Sequence, residues 1–172
     1  MNEREGDVNV DVGGILGCLK RHGVDFIVVG GLAGLAHGSA YPTYDVDVAY
    51  GRDRRNLERL ASALVDLEAT LRGAPADLPF LLDAETLHRG LNFTFTTRLG
   101  PLDILGHPGG AKSYARMEAG ASETRLEGVN VKVVSLDHLI AMKAAAGRGK
   151  DKIMVAEYIA LADEIRERRS DD

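Results

Sequence analysis

The chain has 172 residues, 45% of them apolar and 27% charged, and its 21 basic and 26 acidic side chains give a formal net charge of −5. This length suits a single domain with its own core, and the composition excludes disordered, collagenous and fibrous proteins. The negative balance argues against indiscriminate binding of nucleic acids or membranes, although it leaves room for a local basic patch.

The sequence carries no signal for export or membrane insertion. Its longest uncharged apolar run, residues 26–36, is about half as long as a membrane span. The first seven residues are acidic, whereas a secretory signal would be basic and then apolar. A single cysteine, Cys18, cannot form an internal disulfide, which fits a reducing compartment. We therefore expect a cytoplasmic protein that does not associate with membranes.

The first half of the chain alternates helical and strand patterns. Residues 1–10 have no helical period and predict a flexible amino-terminal arm, which leaves residues 11–172 as a single domain. Cys18 lies on the apolar stripe of the first helix, so we predict a core residue and not a nucleophile. The patterns that follow predict a strand at 26–29, a short helix at 32–37, a strand at 44–50, a helix at 56–67 and a surface loop at 73–83.

The second half continues the mixed pattern. It predicts strands at 91–96 and 102–105, a short helix at 112–119, a hairpin of residues 124–126 and 129–134, a helix to residue 146 and a last helix over 151–168. Leu91, Phe93 and Phe95 alternate with polar residues and are expected to face the core. Ser135 is a good N-cap for the helix that follows it. Together the elements indicate an α/β (α+β) domain with a mixed β-sheet flanked by helices.

Two aspartates on one strand carry the clearest chemical signal. Asp45 and Asp47 alternate with valines, so both carboxylates project from the same strand face. Like charges this close repel each other unless a cation offsets them, and paired carboxylates are suitable ligands for Mg²⁺. Asp103 lies on a second apolar strand and would complete a three-carboxylate site if the two strands are neighbours. Such a site is able to hold metal ions that activate an attacking hydroxyl.

A pair of glycines ends the first predicted strand. Gly30 and Gly31 lack Cβ atoms, so their backbone N–H groups are able to approach phosphates closely. A dinucleotide-binding Rossmann motif is the nearest competitor, but it requires glycine at the position of Val29. A Walker A motif is excluded because Lys150 is followed by Asp151 and lacks the upstream loop.

Taken together, Val29-Gly30-Gly31 and Asp45-Val46-Asp47 resemble the signature of the nucleotidyltransferase superfamily, the polymerase-β-like fold. Two longer segments are similar to AbiEii-type toxins and their single-domain relatives. They run from His37 to the aspartate pair and from Val134 to Asp151, and the resemblance covers most of residues 24–160.

The resemblance implies the roles of the site residues. Asp45 and Asp47 would bind Mg²⁺, with Mn²⁺ as the alternative, Asp103 would bind metal or act as base, and Gly30 and Gly31 would hold an NTP. The implied reaction transfers a nucleoside monophosphate to an acceptor hydroxyl on a tRNA end, a partner protein or a small molecule. A toxin–antitoxin context is implied, with a cognate toxin or antitoxin as partner. The alternative is a non-catalytic binding protein of the same fold.

Basic residues cluster where the last two predicted helices meet. Lys143 falls on the apolar face of its helix, and a buried ammonium group requires an anionic partner, either a triphosphate or the carboxylate cluster. Arg148, Lys150 and Lys152 add positive charge around Asp151. This patch predicts either phosphate neutralisation, with Lys143, Arg148 and Lys150 contacting nucleotide, or a solvated helix junction.

Two tyrosines depart from the family pattern. Relatives usually carry basic residues at the positions of Tyr41 and Tyr44, so here these rings are candidates to stack on a base or nucleoside instead. His107 follows Asp103 along its strand and is a secondary candidate for the same site. His22, His88 and His138 show neither metal-ligand spacing nor a paired cysteine, so a zinc site is not expected.

Overall fold

The computed structural model describes residues 9–75, 77–107, 113–147 and 149–171, with Lys150 described by its backbone alone. The helices are α1 Val12–Arg21, α2 Gly30–Ala36, α3 Arg54–Asp66, α4 Ala84–Arg89, α5 Tyr114–Gly120, α6 Leu136–Ala146 and α7 Gly149–Ser170. The strands are β1 Phe26–Val29, β2 Val46–Tyr50, β3 Thr70–Leu71, β4 Asn92–Thr97, β5 Gly100–Leu105, β6 Ser122–Leu126 and β7 Val129–Val133. None of the described helices is long and apolar enough to cross a membrane.

The strands form one mixed seven-stranded sheet in the order β3-β4-β5-β2-β1-β7-β6. The central pairs are β1 with β7 and β2 with β5, which are parallel, and β1 with β2, which is antiparallel. The outer strands join by antiparallel pairing, β3 and β4 beyond β5 at one edge and β6 beyond β7 at the other. The expected mixed sheet flanked by helices is therefore confirmed.

The core explains why these elements pack as they do. All four residues of β1 are buried, as expected for a central strand made of β-branched and aromatic residues. On α3, Leu57, Leu60 and Leu64 are buried at helical spacing. Helix α1 packs on α3 and β7, while α2 packs on α6 and β2. The second group, α2, α6 and β2, holds the glycine pair, Asp47 and Lys143, which the sequence singles out for chemistry.

Short polar side chains begin five of the described helices. Each accepts a hydrogen bond from a backbone N–H three residues further on, and the capping residues are Asp11, Asp53, Asp83, Ser113 and Ser135. Caps of this kind contribute about 1 kcal/mol each to helix stability. The predicted N-cap at Ser135 is confirmed.

Several sequence expectations need correction. Leu91 is half exposed, although we expected it in the core, because it lies just before β4 and only Phe95 of its series is fully buried. Helix α2 begins at Gly30 and not at residue 32, and β2 begins at Val46 and not at residue 44. The short elements β3 and α4 were not predicted, because two and six residues are too few to show a period.

The amino-terminal arm is described only at its end. Residues 1–8 lie outside the described residues. Where the description begins, the backbone N–H of Asp11 donates to the carbonyl of Leu99, 2.8 Å away. Val10 packs against the core, and its Cα would lie 2.9 Å from a Cβ built on Gly100. Residues 10 and 11 therefore adjoin the start of β5.

Candidate active site

Three carboxylates meet where β2 and β5 pair. In this parallel pair Asp47 lies opposite Asp103, so both side chains leave the same face of the sheet. Asp45 lies two residues before Asp47, just ahead of β2. One oxygen from each of the three carboxylates lies within 4.8 Å of the other two. The expectation that the two strands are neighbours is confirmed, and the structure brings Asp45, Asp47 and Asp103 together.

The cluster carries more negative charge than its surroundings offset. Burial, followed by the charges of Asp45 and Asp103, raises the pKa of Asp47 to about 8, and the ammonium group of Lys143 opposes that rise. An all-carboxylate donor set with this excess of charge suits a hard divalent cation such as Mg²⁺ or Mn²⁺. The residues present therefore fit a metal of this class.

Neighbouring side chains hold two of the carboxylates in place. The Thr43 hydroxyl donates to Oδ1 of Asp45 at 3.2 Å. The guanidinium of Arg72 donates from Nη2 to Oδ1 of Asp103 and to the backbone carbonyl of Phe95, both at 2.7 Å. Arg72 thus fixes Asp103 to strand β4 and sets a positive charge beside the cluster.

Sequence reasoning missed Arg72. The residue follows β3, a two-residue edge strand, and reaches the site because β3 pairs with β4 and β4 pairs with β5. Nothing in the spacing between Arg72 and Asp103 indicates contact, since the pairing of three strands determines it. Only a prediction of the strand order would have placed this arginine in the site.

The glycine pair lies directly beside the carboxylates. Gly30 is the first residue of α2 and has φ +64°, a left-handed conformation that glycine adopts readily. A Cβ at Gly30 would lie 2.0 Å from Oδ2 of Asp47. A Cβ at Gly31 would lie 3.0 Å from Oγ1 of Thr43. Gly30 is therefore required for the close approach of this turn to Asp47, while a side chain at Gly31 would press on Thr43.

Lys143 lies at the site but has a protein partner. Its Nζ lies 3.2 Å from Oδ1 of Asp151, whose side chain is 1% exposed, while the Lys143 side chain is 20% exposed. The anionic partner that the sequence requires is therefore Asp151 on α7. The same ammonium group still acts on Asp47 electrostatically and lines the cleft.

The other basic and histidine candidates are less informative. Arg148 lies outside the described residues, and the side chain of Lys150 is not described. Lys152 is exposed on α7. His107 is also exposed and does not join the three-carboxylate group. The structure therefore brings only Lys143 of the described basic candidates to the carboxylates.

An open cleft of about 530 Å³ surrounds the carboxylates. Its remaining walls come from the loop before β2, from the start of β5 and from α7, through Pro42, Thr43, Tyr44, Pro101 and Met154. The Tyr44 side chain is 70% exposed and stands at the wall of this cleft. The lining of the cleft thus combines polar and charged side chains with apolar and aromatic ones.

Comparison with known proteins rests on structure. No family model matches the sequence, and no curated protein matches it. One similar structure is the lincosamide antibiotic adenylyltransferase LnuA, solved with lincomycin bound. The match covers 89% of this chain and 99% of the LnuA chain, with a TM-score of 0.58 and 14% sequence identity. The chain has the nucleotidyltransferase fold.

Two further structures support this assignment of the nucleotidyltransferase fold. ANT(2″)-Ia in complex with adenylyl-2″-tobramycin matches 90% of this chain and 94% of its own, with a TM-score of 0.53 and 17% identity. An antigenic nucleotidyltransferase-like protein from Paracoccidioides brasiliensis matches 91% and 76%, with a TM-score of 0.53 and 17% identity. The three proteins share the architecture of this chain at low identity, so the likeness concerns the fold.

Proposed function

We propose that this protein is a metal-dependent nucleotidyltransferase that transfers a nucleoside monophosphate from an NTP to an acceptor hydroxyl and releases pyrophosphate. The observation that carries the proposal is the group formed by Asp45, Asp47 and Asp103, whose oxygens lie within 4.8 Å of one another in an open cleft beside Gly30. The likeness in fold to the antibiotic adenylyltransferase LnuA, and to ANT(2″)-Ia in complex with adenylyl-2″-tobramycin, supports the same reaction class.

Each residue of the site has a defined task in this proposal. Asp45 and Asp47 hold the divalent ion, which is Mg²⁺ or Mn²⁺ and would supply positive charge to the reacting phosphate. Asp103 either holds metal or accepts the proton of the acceptor hydroxyl, with its Oδ1 held by Arg72. Gly30 and Gly31 present backbone N–H groups to the triphosphate.

The basic residues balance the charge of the nucleotide. Lys143 lines the cleft, and its ammonium group pairs with Asp151. In the chain, Arg148 comes between α6 and α7 and Lys150 belongs to the first turn of α7. We propose that this segment contacts phosphate as well. Because Asp151 already pairs with Lys143, the net positive charge of this segment is smaller than a count of its lysines and arginines gives.

A small molecule is the acceptor class to test first. LnuA is described with lincomycin bound, and ANT(2″)-Ia with an adenylylated tobramycin. The exposed Tyr44 ring, with Pro42, Pro101 and Met154, gives the cleft an apolar wall on which a small hydroxylated compound is able to pack. A tRNA end or a partner protein's side chain remains within the proposal, as does an AbiEii-like toxin–antitoxin role in the cytoplasm.

Labelled NTPs test the reaction directly. The protein is incubated with each NTP and Mg²⁺ or Mn²⁺, and lincosamides, aminoglycosides, total tRNA and host lysate are offered as acceptors. We expect label on one acceptor class together with pyrophosphate release. Binding of NTP with no transfer to any acceptor would favour the non-catalytic binding protein.

The metal-site variant Asp47→Asn provides the decisive comparison. It removes a charged ligand while keeping the shape of the side chain, so we expect transfer to fall at least about a hundredfold with the fold intact by circular dichroism. The matched control is Glu58→Gln, which changes an exposed carboxylate on α3 and should leave transfer unchanged. Undiminished transfer by Asp47→Asn would refute the metal-site assignment.

A further inference from the structure

A second cluster of ligating side chains lies away from the cleft, where α1 and α3 end. Cys18 belongs to the last turns of α1, His22 caps the carboxyl end of that helix, and Asp66 is the last residue of α3. One ligand atom from each residue lies within 4.8 Å of the other two. The cluster therefore joins the carboxyl ends of two helices that pack together.

Cys18 and His22 stand one helical turn apart. Residues at i and i+4 share a helix face, so the thiol and the imidazole are both directed toward the end of α3. The sequence alone does not reveal this group, because Cys18 has no second cysteine beside it and Asp66 is distant in the chain. Only the packing of α1 on α3 completes the group.

One carboxylate oxygen is the centre of the cluster. Oδ2 of Asp66 accepts from the Cys18 thiol at 3.4 Å and lies 3.1 Å from Nε2 of His22. The other oxygen, Oδ1, lies 3.8 Å from Nη2 of Arg98. Arg98 thus engages the far side of the carboxylate and leaves Oδ2 to the thiol and the imidazole.

These separations are close to those of a tetrahedral zinc site. Zn–S bonds of about 2.3 Å and Zn–N or Zn–O bonds of about 2.0–2.2 Å place sulfur and oxygen ligands roughly 3.6 Å apart, and nitrogen and oxygen ligands roughly 3.4 Å apart. The observed values of 3.4 Å and 3.1 Å differ by a few tenths of an ångström. Small side-chain shifts are therefore enough to admit an ion.

The cluster balances the charge of a divalent ion once the thiol has lost its proton. Hydrogen bonds from His22 and then from Cys18 lower the pKa of Asp66, so this carboxylate is ionised near neutral pH. Burial, together with Asp66, raises the pKa of the Cys18 thiol to about 11. Without metal the thiol keeps its proton, and a metal ion displaces that proton to solvent as the sulfur binds. A thiolate, a carboxylate and a neutral imidazole then balance the two positive charges.

We propose that Cys18, His22 and Asp66 form a zinc-binding site that clamps the end of α1 to the end of α3. Sulfur, nitrogen and oxygen ligands together favour Zn²⁺ over Mg²⁺, which prefers oxygen ligands alone. His22 and Asp66 are 28% and 45% exposed, so water is able to supply the fourth ligand from solvent. The guanidinium of Arg98 opposes the ion and sets a limit on its affinity.

The test isolates this site from the carboxylates of the cleft. The protein carries Asp45→Asn and Asp47→Asn, is stripped with a chelator and is titrated with Zn²⁺ against a chromophoric competitor, and Mg²⁺ alone is the negative probe. We expect one Zn²⁺ per chain. Co²⁺ in place of Zn²⁺ should give the charge-transfer absorption of a thiolate ligand.

Variants decide whether these residues bind the ion. Cys18→Ser should abolish the charge-transfer absorption, and His22→Gln should weaken Zn²⁺ binding at least about tenfold, since even partners outside the ligand shell cost roughly 10–100-fold. His88→Gln, an exposed histidine on α4, should leave the affinity unchanged. If Cys18→Ser does not fold, His22→Gln still tests Zn²⁺ binding, because His22 lies at a partly exposed helix end. No bound Zn²⁺, or binding that neither variant weakens, overturns the proposal.

Discussion

Gly30 shows how one residue without a side chain makes room for the chemistry. Its φ of +64° and its contact with Asp47 act together, because a Cβ would be strained by the backbone conformation and would also occupy the space of the carboxylate. The glycine pair was recognisable in the sequence as a turn that admits phosphate. Its second task, admitting Asp47 from the neighbouring strand, depends on the pairing of β1 with β2.

We expect Gly30→Ala to lower the free energy of unfolding by about 2–4 kcal/mol and to abolish metal-dependent transfer. A left-handed alanine costs about 1–2 kcal/mol, and the remainder comes from the displacement of Asp47. Urea denaturation and the transfer assay measure the two effects.

Gly128→Ala provides the matched control for this prediction. Gly128 has φ +79°, but a Cβ there would meet no atom within 4 Å. It should therefore show the backbone cost alone and keep full activity. Equal losses of stability in the two variants would show that the close contact between Gly30 and Asp47 contributes nothing to the free energy of unfolding.

Among the elements, the short edge strand β3 adds most to what the sequence predicts. Asp47 and Asp103 could be assigned to strand faces from alternation alone, and Ser135 could be assigned as a cap from its residue type. Arg72 could not, because its place depends on β3, which has two residues and no detectable period. Leu91 was misassigned for a similar reason, since alternation does not show where a strand begins.

Arg72 positions Asp103, so we expect Arg72→Gln to lower kcat/KM about 10–100-fold. The apparent affinity for Mg²⁺ should not fall, because the lost guanidinium opposed the ion. If Arg72 had only a structural role, its loss would lower the free energy of unfolding. It would not lower kcat/KM while leaving the affinity for Mg²⁺ intact. Mg²⁺ titrations of the initial rate measure both quantities.

Arg72→Lys and Arg89→Gln complete the comparison. A lysine side chain is one atom shorter, so its ammonium group does not reach the position from which Nη2 of Arg72 donates to Phe95 and Asp103, and it should rescue little of the activity. Arg89 forms an exposed pair with Glu85 on α4, and its loss should change neither rate nor metal affinity. Full activity in Arg72→Lys would show that charge alone is sufficient at this position.

For the molecule as a whole, the carboxylate cluster links folding stability to pH. The pKa of Asp47 rises from 3.8 to about 8 in the folded protein, so its protonated form is the one that the fold favours. The stability that this group contributes is fully present below about pH 4 and is lost as the pH rises through about 8. Alkaline conditions therefore weaken the metal-free protein at this site.

We expect Mg²⁺ to stabilise the protein more as the pH rises across this window. In the metal-free protein at about pH 5 the ion must displace the proton of Asp47, whereas at about pH 8.5 it relieves the repulsion among ionised carboxylates. Thermal unfolding with and without Mg²⁺ at both pH values measures the difference. In Asp47→Asn the pH dependence of the Mg²⁺ effect should disappear, and its persistence would assign the effect to another group.

The parallel pairing of β2 with β5 has a consequence for how the protein matures. Asp47 and Asp103 lie far apart in the chain and meet only when this long-range pair has formed, a contact that folds slowly in proteins of this kind. The local elements, such as α1 or the β6–β7 hairpin, are able to form earlier without it. A newly made chain thus holds no carboxylate cluster until β2 has paired with β5. We therefore expect the binding of a divalent ion at the cleft to report the formation of this pair.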